Sequence, residues 1–139
     1  MSSWDTGPFD NDGAMNFVGK LDQADPERVA TRIRGAMASV VESTTYVEAA
    51  QMNLAVASAC LVAAASGARN AVTSAYVRDW LVAANFPLTP ELRALALAVF
   101  NRAFQPSANE WFDLWDASGS LDEVRRGLTP FHHAVATPS

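Results

Sequence analysis

The stretch "NLAVASACLVAAA", Asn53 to Ala65, constrains the fold more than any other part of the chain. Wound as a helix it is apolar on all faces, so neighbours must cover all of it. Such a helix belongs at the centre of a bundle, where small side chains let other helices approach closely. From Leu54 onward Ser58 is the one polar residue of the run, and Cys60 is the only cysteine of the chain. A lone cysteine forms no intrachain disulfide, and here it is expected to be a buried, inert hydrophobe. The apolar run Leu54 to Ala65 reads as too short to span a bilayer.

The flanking sequence has the period of amphipathic helices. Ala14, Phe17, Val18 and Leu21 stand at i, i+3, i+4, i+7, which predicts a first helix starting near Asp10 to Asp12. Asp25 and Pro26 form a cap and first-turn pair for a second helix, with Val29, Ile33, Met37 and Val40 as its stripe. Thr45 and Glu48 match a capping box opening the central helix, and Gly67 ends it. Ser74 and Thr89 cap a fourth and a fifth helix, the fifth turning Leu92, Leu95, Ala96 and Val99 inward. Ser107 with Glu110 opens a short aromatic helix that stops at Gly119. Ser120 with Glu123 opens the last, which runs to about Leu128 and is broken by Pro130. The tail, about 134–139, is expected to fray. No strand alternation, repeat or linker interrupts this pattern. The expected architecture is one all-α domain over 1–139, a bundle of six to seven helices around the central Ala-rich one.

The chain has 139 residues and a formal net charge of −5. Without a basic stripe there is nothing to displace counterions from phosphates, so nucleic acid is not expected as a partner. Asp5, Asp10 and Asp12 lie where a signal peptide would carry basic residues. The expectation is a cytoplasmic protein with no membrane association.

Several motifs fail on inspection. "DTG" at Asp5 to Gly7 matches the aspartic-protease triplet, which needs a second carboxylate on a β-rich frame. "DNDG" at Asp10 to Gly13 resembles a calcium loop, but Pro8 and Gly19 occupy ligand places of an EF-hand. His132 and His133 are sequence neighbours and do not face one way on a helix. No Walker loop, nucleophile elbow, H-E-x-x-H or C-x-x-C is present, and no cofactor or metal is expected. Trp111 and Trp115 share a helix face beside Phe112, read first as core and second as the wall of a ligand pocket.

The opening "WDTGPFDND" resembles that of a bacterial family catalogued as domain of unknown function 4259. The resemblance continues through "YVEAAQMNLAVASACLVAA", "LTPELRALALAVFNRAF" and "LWDASGS". The matching positions are Trp4, Gly7, Pro8, Phe9, Asp10, Asn11, Asp12, Trp115, Asp116, Ser118 and Gly119. The chain departs from the family at Asp5, where glycine is usual. It departs again around Gln51 to Asn53, where the family is more acidic and Glu48 is here the only carboxylate. The resemblance implies no activity.

Three readings follow. The first is a non-enzymatic binding, regulatory or accessory protein, with an unidentified protein partner that can be basic. The second is a small-molecule enzyme or ligand-binding domain that sets Asp10, Asp12, Asp116 and Glu48 against Trp111 and Trp115. The third is a structural or oligomerising module. Asp10, Asn11, Asp12, Glu48, Trp111, Trp115 and Asp116 are the candidate binding residues. Trp4 and Phe9 are expected to pack on the last helices, bringing the opening segment to Trp115 and Asp116. In a clasp the Asp116 carboxylate would be inaccessible, bonded to backbone amides of residues 4–7 or to the turn at Ser118 and Gly119. In a site it would share a cleft with Asp10 or Asp12.

Overall fold

A computed structural model describes residues 7–9, 12–83 and 88–136. Among them run seven α-helices: α1 (Asp12–Asp22), α2 (Pro26–Val41), α3 (Ala49–Ala63), α4 (Ala75–Ala83), α5 (Pro90–Ala103), α6 (Glu110–Ala117) and α7 (Leu121–Ala136). The fold is all-α, with no strand among the described residues. Trp4, Asp10 and Asn11 lie outside the described residues.

α3 is the central helix. Met52 and every residue from Ala55 to Ala63 are buried, and α1, α2, α5, α6 and α7 all pack on it. Its alanines leave room for that many neighbours, and the larger side chains of those neighbours fill the core. Phe100, Phe131, Ile33 and Met37 are among the largest fully buried, each contributing roughly 1.5–3 kcal/mol by leaving water. Regular α-helix ends at Ala63, and the chain widens into a π turn over Ala64–Ala68 with Gly67 at φ 137°, a conformation that favours glycine. The helical stretch Ala49–Ala71 is long and apolar enough to cross a membrane by length and composition. This corrects the expectation drawn from the shorter run. Within the fold, 61% of its apolar window is buried.

The amphipathic stripes fall as their spacing requires. Val29, Ile33, Met37 and Val40 are all buried on α2. Three caps form as predicted. Asp25 Oδ1 accepts from the Arg28 amide at 2.9 Å, Ser74 Oγ from Val77 at 3.3 Å, and Thr89 Oγ1 from Leu92 at 3.2 Å.

Two predicted capping boxes do not form. Glu48, not Thr45, occupies the cap position of α3, and its side chain makes no capping bond. Asn109, not Ser107, caps α6, accepting from the Phe112 amide at 3.0 Å. The predicted break at Pro130 is also absent, and α7 continues to Ala136. Pro130 and Arg126 are both exposed, so the carbonyl that loses its helical donor can be solvated. Val124, Leu128, Phe131 and Val135 are buried on the opposite side, and their burial outweighs roughly 3 kcal/mol of proline propensity. Residues 134–136, expected to fray with the tail, are therefore helical, as are the two histidines. His132 stacks on Phe100 with ring centroids 5.4 Å apart.

The corner between α5 and α6 is tied by one side chain. Asn109 is fully buried. Its carboxamide nitrogen donates to the carbonyls of Ala103 (2.9 Å), Gln105 (3.0 Å) and Arg102 (3.3 Å). One residue thus closes α5 and opens α6. The turn before it is strained, with Ala108 at φ 51°, and Arg102 Nη2 donates to the Ala108 carbonyl at 2.8 Å.

Two outcomes are expected. Asn109→Asp keeps the acceptor for Phe112 but turns a carboxylate toward three carbonyls. It should lower unfolding free energy by about 3 kcal/mol or more, read from denaturant midpoints, and an unchanged midpoint would contradict the corner's role. Burial raises the Cys60 thiol well above its ordinary pKa, so a thiol reagent should label it only on unfolding. Rapid labelling of the folded protein would show α3 to be open.

Candidate functional site

A short extended segment, residues 46–48, runs beside the start of α6 as an isolated parallel bridge between Val47 and Asn109. The Val47 amide donates to the Ala108 carbonyl and the Glu110 amide to the Val47 carbonyl, each at 3.0 Å. The Glu110 Oε1 oxygen then accepts from the Ala49 amide at 2.7 Å. The first turn of α3 is therefore capped by a carboxylate 61 residues away in sequence. The negative charge also suits the positive end of the α3 dipole.

This junction orients both segments. Val47 is fully buried, so its neighbours at i−1 and i+1 in the extended segment, Tyr46 and Glu48, turn to the opposite face. Both are exposed. α6 is two-faced in the same way. Trp111 and Trp115 turn inward, 6.4 Å apart and edge-on, and Phe104 meets Trp111 at 5.7 Å. Arg125 lies 4.8 Å from the Phe104 ring centroid, within cation–π reach. Glu110, Asp113 and Leu114, at i, i+3 and i+4, form the other face. Tyr46 is 52% and Leu114 56% exposed. Partial desolvation, then the charges of Glu110, Asp113 and Glu48, hold the Tyr46 phenol above its ordinary pKa. The Val47–Asn109 bridge sets the phenol on the same junction as these carboxylates.

The inward face borders a shallow cleft lined by Gly7, Pro8, Asn53, Val56, Trp111, Trp115, Val124 and Leu128. Of the opening segment, Gly7 and Pro8 border this cleft together with Trp115, and Phe9 is buried at 6% exposure. The cleft's enclosed space is only about 20 Å³, room for a water molecule or two and far below the roughly 300–1,000 Å³ of ligand pockets. Trp111, at 4% exposure, belongs to the core, while Trp115 is only partly buried.

The described candidate carboxylates are elsewhere. Asp12, Glu48 and Asp116 are exposed, and none lines the cleft. Asp116 offers its backbone carbonyl to the Gly119 amide at 3.1 Å, but its exposed carboxylate does not form the inaccessible clasp that was expected. Among the described residues, no three of the His, Cys, Asp and Glu side chains gather as a metal-binding group. Tyr46, Asp113 and Leu114 were not among the sequence candidates. The spacing of Glu110, Asp113 and Leu114 carried the signal for one helix face, but nothing local showed that Tyr46 lies beside it.

The fold and this junction define an all-α protein with an aromatic inner helix face and an acidic, partly apolar outer one. Residues 2–127 match the model of a domain of unknown function, DUF4259, and the chain belongs to that family. No curated protein and no solved structure matches it.

The two faces of α6 should respond differently to mutation. Asp116→Asn should leave stability within about 0.5 kcal/mol of the parent. Trp111→Ala should cost about 3–5 kcal/mol. Thermal or urea unfolding of both variants measures this, and a large loss from Asp116→Asn would restore the clasp.

Proposed function

We propose that this is a non-enzymatic binding or regulatory protein that docks a protein partner on the outer face of α6 and the adjoining 46–48 segment. The observation that carries this reading is the pair Tyr46 and Leu114, half-exposed beside three carboxylates on a junction braced by hydrogen bonds. Large apolar side chains held in fixed positions at a surface are what interfaces use as anchors. The cytoplasmic setting belongs to the same proposal; the burial of α3 under five helices supports only that its surroundings are aqueous. The alternative, a small-molecule enzyme or ligand-binding domain built on Asp10, Asp12, Asp116 and Glu48 beside Trp111 and Trp115, draws no support from a cleft that Asp12, Glu48 and Asp116 do not line, and Asp10 lies outside the described residues.

Photo-crosslinking in the native host tests the reading. A benzoylphenylalanine at position 114 or 46 should give one discrete protein adduct, and at the exposed control Asp79 it should give none. Equal labelling at all three positions, or none at 46 and 114, would contradict a docking face there.

A further inference from the structure

We infer that the partner places an arginine side chain of a basic segment on the Tyr46 ring, between Glu48 and Asp113, with an apolar neighbour on Leu114. This deepens the binding reading above and rests on it.

Charge decides among possible occupants. A second copy packed on the same face would oppose Glu48, Glu110 and Asp113 with their own counterparts, and like charges across an interface are unfavourable. Nucleic acid would bring phosphates to the same carboxylates. A neutral apolar segment would cover Tyr46 and Leu114 but leave Glu48 and Asp113 desolvated without partners. Glu110 is partly satisfied by the Ala49 amide, whereas no hydrogen bond or ion pair to the Glu48 or Asp113 side chain is found among the described residues. A cationic segment answers both needs at once.

Geometry favours arginine over lysine. The Tyr46 ring and the Glu48 carboxylate project from the same side of an extended segment. Asp113 lies on α6, held alongside by the Val47–Asn109 bridge. A planar guanidinium can stack on an aromatic ring while its edge donors reach carboxylates on either side. An ammonium has three donors but no planar face to lay on the ring while they reach the carboxylates. The net charge of −5 adds long-range attraction for a basic partner.

The test uses the full chain and labelled peptides of alternating arginine and leucine, lysine and leucine, and glutamate and leucine. Binding is read by fluorescence anisotropy at physiological salt. The arginine peptide should bind more tightly than the lysine one, and the glutamate peptide should not bind. Tyr46→Leu, which keeps apolar area but removes the ring, should weaken arginine binding about tenfold. So should the Glu48→Gln, Asp113→Asn pair. The control pair Glu27→Gln, Asp79→Asn removes the same charge from exposed positions elsewhere and should stay within about twofold. Equal weakening by the two charge-removing pairs would reduce the effect to net charge and overturn the inference. So would indifference of arginine binding to Tyr46→Leu. If adducts form at 46 and 114 while the arginine peptide ignores both substitutions, the binding reading stands and the arginine assignment falls. If neither is seen, both fall.

Discussion

The buried carboxamide of Asn109 is the interaction on which the rest of the structure turns. A carboxamide carries donors and an acceptor on one rigid plane. Asn109 uses the donors to close α5 and the acceptor to open α6. No other side chain of similar size does both. Aspartate lacks the donors and serine lacks the reach. Because the group is shielded from water, every bond it makes replaces a buried polar group that would otherwise be unpaired. The strained φ at Ala108 is sustained by that network and by the Arg102 guanidinium bonded to the same turn.

From this corner the order spreads to a distant part of the chain. The Asn109 backbone bridges Val47, and the next residue, Glu110, caps α3 through the Ala49 amide. The central helix thus takes its start from a carboxylate on α6. The same contacts aim Val47 into the core and Tyr46 outward. α6 is short, yet it separates two tasks cleanly. Trp111 and Trp115 anchor it against α3, α7 and the Gly7–Pro8 segment. Its other side is left to Glu110, Asp113 and Leu114, and it is there that an acidic, partly apolar surface arises.

Much of the bundle was legible in the sequence because the information was local. The stripe Val29, Ile33, Met37, Val40 needs only a period of 3.6 to be read. The Asp25, Ser74 and Thr89 caps bond within three residues of themselves. The all-apolar surface of α3 demanded a central place. What local patterns missed was decided by tertiary partners. Thr45 with Glu48 and Ser107 with Glu110 have capping-box spacing, but Glu110 is engaged by Ala49 and Asn109 takes the α6 cap by serving two helices at once. Pro130 was read as a breaker, yet it faces solvent while Phe131 and Val135 hold α7 to the core. The candidate site followed the same rule. Trp111 and Trp115 were recognisable as one helix face, whereas the proximity of Tyr46 to Asp113 depends on a single backbone bridge between segments far apart in sequence.

The direct measure of this account is native-state hydrogen exchange at four amides: Val47, Ala49, Glu110 and Phe112. If the junction is one cooperative unit, all four should exchange with a common opening free energy well above that of the exposed loop amides. In Asn109→Asp they should lose protection together. Val47 and Ala49 exchanging as free loop amides while Phe112 stays protected would contradict it. The extended segment would then be independent of α6, and the surface around Tyr46 would have no fixed form.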